Sequence, residues 1–282
     1  MEDQEYNHLK GQILKLTGID LSDYKSQQMR RRLDGFLARF PGSGVVPYCQ
    51  MLERDPAALQ RLTDFLTINV SEFFRDAEQF QVFRTRILPE LLRSSPSLRI
   101  WSAGCSIGAE PYSLAMILEE CWPQGDYRIL ATDLDQQVLV KARAGGPYTE
   151  ADVKNVSKDL LLKYFARSGA DYQVVDRLKK KIVFRQHNML KDPFERDFDL
   201  IVCRNVVIYF TDEAKAQLNQ EFRNSLKDKG VLFIGGTETL LDAQDLGLQR
   251  LHASFYGKVS APRRESPARP GAKRETVVES RR

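Results

Sequence analysis

The stretch Asp199-Leu-Ile-Val-Cys-Arg-Asn-Val-Val-Ile-Tyr-Phe210 decides the fold. Its apolar run, Leu200 to Cys203, shows no polar alternation, the mark of a strand buried on both faces in a helix-covered sheet. The run then breaks into Arg204 and Asn205 and ends in Tyr209 and Phe210. In open α/β sheets ligands bind beyond the carboxyl ends of strands, so polar residues emerging there belong to the floor of a site. An apolar strand rarely tolerates such groups without partners.

Two more strand ends lie upstream. Ile100-Trp-Ser-Ala-Gly-Cys-Ser-Ile-Gly-Ala-Glu110 reads as a strand entering a Gly-rich turn, and Ile129-Leu-Ala-Thr-Asp133 as a strand closing on an acid. Three polar strand ends describe a nucleotide-type cofactor cleft. The turn is G-x-x-x-G (Gly104, Gly108), not the dinucleotide fingerprint, and it lacks the Lys-[Ser/Thr] pair of a P-loop. Its glycines are expected to let backbone approach a ligand beside a helix N-terminus. Asp133 either accepts hydrogen bonds from ribose hydroxyls or caps the helix starting near Asp135. Glu110 either meets a ligand or compensates the helix dipole. The residues alone leave both choices open.

Strands are expected near 98–102, 127–132, 198–203 and 231–235, and helices near 109–121, 135–144 and 212–228. That alternation argues a mostly parallel sheet covered on both faces. Ser157 to Phe165 reads as helical. Tyr172-Gln-Val-Val175 and Lys181-Ile-Val-Phe184 read as short strands of a β insertion over about 166–186. Residues 1–70 read as a helical module: Met29, Leu33, Phe36, Leu37 and Phe40 share one helical face, and Pro41-Gly42-Ser43-Gly44 stops it. Asp55-Pro56 opens a further helix. Another is expected to start at Asp76 as N-cap, with Gln79 in capping-box position, and to run through Phe80, Phe83, Ile87 and Leu91.

The chain has 282 residues, 42% hydrophobic and 28% charged, ordinary for a globular protein. No apolar run approaches the ~20 residues of a membrane helix, and Met1-Glu-Asp-Gln-Glu5 is acidic, unlike a signal peptide. A cytoplasmic protein without membrane insertion is expected. The net charge is +4, and residues 263–282 alone carry seven Lys/Arg against three Glu. The body, residues 71–260 and the module before it, is therefore neutral, and 261–282 read as a disordered basic tail. A neutral body argues against a nucleic-acid partner. Four widely spaced cysteines and three histidines suggest neither a disulfide framework nor a metal site.

Taken together the motifs resemble the chemotaxis receptor glutamate methyltransferases, the CheR family, which use S-adenosylmethionine to methylate methyl-accepting chemotaxis proteins. Asn69-Val-Ser-Glu-Phe-Phe-Arg75 is similar to the family's Asn-x-Thr-x-Phe-Phe-Arg segment, with Ser71 in place of Thr. Trp101 to Ser113 resembles its Gly-rich cofactor turn, and Ala131-Thr-Asp133 and Cys203 to Phe210 match two further blocks. Gly18-Ile-Asp-Leu-Ser-Asp-Tyr-Lys25, followed by Arg30-Arg-Arg32, resembles its N-terminal module. The resemblance spans about residues 5–260.

It implies an all-α N-terminal domain followed by an α/β, Rossmann-like methyltransferase domain with a small β insertion. It implies that Asn69, Ser71, Arg75, the turn at Gly104, Glu110, Asp133, Asn188, Met189, Arg204 and Asn205 hold S-adenosylmethionine, with no metal. Arg75 and Tyr209 would sit near the transferred methyl, Arg75 orienting the substrate carboxylate and Tyr209 shaping the methyl channel. Lys25, Arg30, Arg31, Arg32 and Arg39 would dock an acidic receptor helix bundle. Some relatives bind a receptor's C-terminal pentapeptide through a Gly-x-Gly loop. Ala166-Arg-Ser-Gly-Ala-Asp-Tyr172 has none, which implies recognition without that tether. A base-methylating enzyme is disfavoured, because Asn205 is followed by Val206-Val207, not Pro-Pro. A non-catalytic adaptor is disfavoured by the retained Arg75, Asp133, Asn205 and Tyr209.

Overall fold

The computed structural model describes residues 1–40, 44–67 and 69–259. The expected stop at residues 41–43 and the basic tail lie outside these.

Four helices, α1 (Asp3–Thr17), α2 (Ser26–Leu37), α3 (Val45–Arg54) and α4 (Pro56–Thr67), form the N-terminal module. Each contributes one apolar stripe to a separate core that includes Leu9, Ile13, Met29, Leu33, Tyr48, Leu52 and Leu62. Glu2 and Glu5 form a capping box at the start of α1, and Gly18 ends it at φ 74°. Asp55 Oδ1 accepts the N–H groups of Ala57 and Ala58, so the expected Asp-Pro entry to α4 is present.

A linker leads to α5 (Ala77–Val82), which continues through a π turn at Phe83–Ile87 into α6 (Leu88–Ser94). Pro89 has no N–H to give the preceding turn, and the wider winding lies directly before it. Phe80, Phe83, Ile87 and Leu91 are buried along this helix, as their spacing predicts.

The remaining elements alternate: β1 (Ser97–Ala103), α7 (Ala109–Cys121), β2 (Asp126–Asp133), α8 (Gln136–Ala144), α9 (Glu150–Val153) and α10 (Lys158–Tyr164). Next come the hairpin β3 (Phe165–Ser168) and β4 (Asp171–Val174), then α11 (Asp176–Lys179) and β5 (Ile182–Gln186). The chain closes with β6 (Phe198–Cys203), α12 (Asp212–Ser225), β7 (Leu226–Ile234), β8 (Leu248–His252) and β9 (Phe255–Lys258). Seven strands form one sheet in the order β5-β2-β1-β6-β7-β9-β8; the first five are parallel, and β9 pairs antiparallel with both neighbours. Every residue of β6 is buried, as its unbroken apolar run requires. Asp199, within it, is held by Ser95 Oγ, the Arg99 N–H and Lys227 Nζ at 2.6–2.8 Å.

Three expectations need correction. The β insertion is only the β3–β4 hairpin: Ile182–Gln186 joins the main sheet as the edge strand beside β2. The helix expected to reach 228 ends at Ser225. Leu226 begins β7, and its polar Lys227-Asp-Lys stretch falls in a register shift between the pairs Phe198–Leu226 and Leu200–Val231. The hairpin β8–β9 was not expected, because the outer strand exposes Gln249, Arg250 and His252 on a sheet edge.

Candidate active site

A cleft of about 1060 Å³, measured out to open solvent, lies beyond the carboxyl ends of β1, β2 and β6. It is lined by Asn69, Ser71, Arg75, Gly104, Glu110, Asp133, Asn188, Met189, Arg204, Asn205 and Tyr209, so one site gathers all of these residues. The basic residues Lys25, Arg30, Arg31, Arg32 and Arg39 do not line it.

The linker from Asn69 to Asp76 forms one wall, and its two phenylalanines fix it. Phe73 is fully buried against Tyr148 and Phe165, and Phe74 packs on Phe80. The Phe73 N–H donates to Asp152 O and the Phe74 N–H to Ser113 Oγ. Between these anchors and the helix, Arg75 faces the cleft. Its guanidinium donates to Val70 O at 3.2 Å and forms no ion pair among the described residues. Asp76 does not cap α5 as expected: it sits at φ 58° and its side chain makes no cap bond. Its carboxylate is drawn instead to Arg204, 2.8 Å away.

At the second wall the two acids after β2 divide the roles that the sequence left open. Asp135 caps α8 through the Gln137 and Val138 N–H groups, and also accepts from Asn69 Nδ2 at 2.7 Å and Thr67 Oγ1 at 3.2 Å. Asp133 is thereby released from capping. Its Oδ2 accepts the Ser106 N–H at 2.7 Å and its Oδ1 the Asp135 N–H at 3.0 Å. Each oxygen retains a lone pair for a hydroxyl donor. Burial pushes this carboxyl up from its ordinary pKa, against the pull of those N–H groups. Asn69 reaches the cleft, but its amide works mainly as a tie between the linker and α8.

The glycines of the turn also serve its packing. A Cβ on Gly104 would lie 2.5 Å from Val206 Cγ2, and one on Gly108 3.0 Å from Ala142 Cβ. Both have φ above 80°, so they permit the close packing of the turn on its neighbours.

Arg204, at the end of β6, is only 6% exposed and lies between the rings of Phe80 and Phe233, 5.1 and 4.9 Å from their centroids. It donates to Arg75 O and Asp76 Oδ2 at 2.8 Å and to Glu110 Oε2 at 3.5 Å. Glu110 also accepts from Ser102 Oγ at 2.8 Å. Burial raises its pKa, while Arg204 and Ser102 oppose that shift. Arg204 is thus an internal clamp between linker, β6 and α7; both terminal nitrogens are engaged, while its buried Nε has no partner among the described residues. Asn205 follows at φ 59°, a conformation that asparagine adopts more readily than most non-glycine residues.

Beyond β5, Asn188 Oδ1 accepts the Leu190 N–H and Asp192 accepts the Asn188 N–H, fixing a turn that carries Met189 and Leu190 into the wall. Tyr24, Leu134, His187 and Phe210 also line the cleft and were not singled out from sequence. Tyr24 lies inside the quoted Gly18–Lys25 segment, which offered the one available signal. Its ring packs edge-on to Phe210 at 5.0 Å, and burial pushes its hydroxyl pKa up to about 12.

That contact belongs to a seam joining the two modules. The Lys25 N–H donates to Tyr209 O and the Thr211 N–H to Asp23 O, at 3.0 and 2.8 Å. Arg32 lies in the same seam. It donates to Phe65 O and stacks over Phe65 and Tyr209, 4.8 and 6.0 Å from the ring centroids. Arg32 is therefore a bridge inside the protein, not an exposed docking group. Arg30 pairs with Asp3 at 2.7 Å and covers Tyr6. Lys25, Arg31 and Arg39 remain exposed.

Apolar walls from Leu134, Met189, Leu190 and Phe210 suit a flat purine, and the spare lone pairs of Asp133 suit a ribose. The comparisons with known proteins agree with this chemistry. Residues 69–253 match the family description "CheR methyltransferase, SAM binding domain", and residues 4–67 match "CheR methyltransferase, all-alpha domain". A chemotaxis protein methyltransferase of Listeria monocytogenes is 40% identical over 257 residues, covering 91% of this chain and 98% of that protein. One from Borreliella burgdorferi is 37% identical over 81% of this chain and 86% of its own length. Chemotaxis protein methyltransferase 1 of Pseudomonas aeruginosa is 33% identical, with 82% and 88% covered. With both modules matched, the chain belongs to the CheR family and is an S-adenosylmethionine-dependent methyltransferase.

Proposed function

We propose that the enzyme methylates glutamate side chains on the cytoplasmic helical bundle of chemotaxis receptors, giving methyl esters that set adaptation, without a C-terminal pentapeptide tether. The observation that carries this reading is Arg75. It lines the cofactor cleft with no acid paired to it among the described residues, so its guanidinium can receive an incoming carboxylate.

S-adenosylmethionine, when bound, supplies a sulfonium methyl for in-line transfer to a carboxylate oxygen. Opposite charges neutralise as the bond forms, so a strongly polar site would favour the ground state. The residues contribute alignment to about 3–3.5 Å and limited access of water. No general base is needed, because a glutamate with its ordinary pKa of about 4.3 is already ionised at neutral pH. Arg75 orients the carboxylate without a tight bidentate clamp, and Tyr209 shapes the approach from its turn after β6. On the cofactor side, Asp133 takes the ribose and Asn188 and Met189 flank the adenine, with Asn69, Ser71, Glu110 and Asn205 lining the remainder and Arg204 holding the walls together.

Asp133 gives a pH prediction. Only the anion offers full acceptor strength to hydroxyls, and its pKa is raised. Affinity for S-adenosylhomocysteine should therefore be flat near neutrality and weaken on acidification, beginning above the ordinary aspartate value of about 3.9. Asp133→Asn should weaken binding about tenfold at neutral pH and remove the acid limb. Calorimetric titration across pH checks both. The linkage to folding has the opposite sign. A raised carboxyl pKa gives a stability contribution that is complete below the unfolded value and declines as pH rises through the folded one.

Lys25, Arg31 and Arg39 support docking to an acidic bundle, and the two-stranded β3–β4 hairpin, turning at Gly169 without Gly-x-Gly, supports independence from a tether. No described helix is long and apolar enough to cross a membrane, and a substrate on the receptors' cytoplasmic bundle supports a cytoplasmic location. Reversing Arg31 and Arg39 to Glu should raise KM for a receptor cytoplasmic fragment about tenfold or more, with cofactor affinity unchanged. Removing the fragment's last residues should leave its methylation rate unchanged. An unaltered KM, or a rate lost with the receptor's C-terminus, would overturn the docking reading.

A further inference from the structure

Tyr24 belongs by sequence to the N-terminal module, yet it lines the cofactor cleft. It follows the short turn Leu21–Asp23, which Asp20 caps by accepting the Ser22 N–H at 2.9 Å. Its backbone forms an antiparallel bridge with Phe210. The main-chain bonds on either side, Lys25 N–H to Tyr209 O and Thr211 N–H to Asp23 O, fix where the side chain leaves the backbone. A third tie comes from the turn after β5, where Lys191 Nζ donates to Gly18 O at 2.7 Å. The N-terminal module is therefore fastened to both segments that supply the apolar wall, Phe210 on one and Met189 and Leu190 on the other.

The ring of Tyr24 is set edge-on to Phe210 and, like Leu134, packs on the core of the N-terminal module. Its hydroxyl makes no hydrogen bond to any described residue and is not sealed from solvent. A tyrosine packed among apolar neighbours usually finds a partner for that group. With its pKa pushed up to about 12, the phenol stays protonated at neutral pH and can donate. An adenosine group presents acceptors, the purine ring nitrogens and the furanose oxygen, that the Asp133 carboxylate cannot serve.

We propose that Tyr24 is a cofactor-binding residue contributed by the N-terminal module: its ring covers the adenosine half of S-adenosylmethionine and its hydroxyl donates to it. The cofactor thereby bridges the two modules. The inference rests on the reading that places the nucleoside among Asp133, Leu134, Met189 and Phe210.

The test uses the full chain and S-adenosylhomocysteine, read by calorimetric titration with Tm recorded for each variant. Tyr24→Phe keeps the ring and should weaken binding about five- to tenfold, the loss of one hydrogen bond. Tyr24→Leu, which removes the ring as well, should weaken it further. Hydrogen exchange supplies a readout that seam packing alone would not move. In the unmodified enzyme the ligand should slow exchange over residues 19–37 as well as within 69–259. Tyr24→Phe should lose most of the first effect and keep the second. Unaltered affinity in Tyr24→Phe, or a loss that appears in KM for a receptor fragment instead, would overturn the inference. So would ligand protection confined to 69–259 in the unmodified enzyme. If Asp133→Asn weakens binding while Tyr24→Phe does not, the nucleoside reading stands and Tyr24 alone is removed from the site. If both variants bind as the unmodified enzyme does, the nucleoside lies elsewhere and both readings fall.

Discussion

Arg204→Ala is expected to cost about 3–5 kcal/mol of stability, the range for breaking a buried ion pair by removing one partner. The guanidinium is the common ligand of Arg75 O, Asp76 and Glu110 and fills the space between two phenylalanine rings. Without it, Glu110 is left buried with Ser102 as its remaining hydrogen-bond partner, and the linker loses its hold on the end of β6. S-adenosylhomocysteine binding should fall with it, because both walls of the cleft are tied through this residue. Arg204→Lys should recover little, since a point charge cannot span three acceptors in the guanidinium plane. Pairing Arg204→Met with Glu110→Gln should recover part of the stability, because the uncompensated charge is gone. Chemical denaturation checks all three. An Arg204→Ala variant with unaltered stability and cofactor affinity would refute the clamp.

Arg75→Ala should act on the chemistry. With cofactor saturating, kcat is expected to fall about a hundredfold, the scale of losing alignment at a reacting centre. Affinity for S-adenosylhomocysteine should change much less than kcat. Stability should also change little, because the side chain makes one backbone bond and no ion pair among the described residues. Arg75→Lys should fall between. If the rate of Arg75→Ala at saturating cofactor matched the unmodified enzyme, the orienting role would be lost.

Much of this site is legible in the sequence because its residues stand at the ends of strands whose burial is written in short apolar runs. Leu200 to Cys203, Ile129 to Ala131 and Ile100 each place a polar successor at the same sheet edge. Sheet membership is not local in the same way. Ile182–Gln186 reads as a short strand, but its partner β2 lies some fifty residues earlier, and nothing nearby distinguishes it from the hairpin before it. Side-chain assignment fails for a similar reason. Asp76 has the composition of an N-cap, yet a buried guanidinium 128 residues later outcompetes the local N–H groups. Arg32 looks like its exposed neighbour Arg31, but faces inward onto Phe65 and Tyr209. The outer strand β8 is one-sided and polar, so it carries almost no periodic signal.

A receptor glutamate is proposed to receive the methyl group. The direct measurement is incubation of the enzyme with methyl-labelled S-adenosylmethionine and a receptor cytoplasmic fragment, followed by base treatment of the labelled protein. Label should be released by base as methanol, lost when the modified glutamates are replaced by alanine, and nearly absent with Arg75→Ala. Base-stable label, or no transfer to any receptor fragment by an enzyme that binds the cofactor, would contradict it.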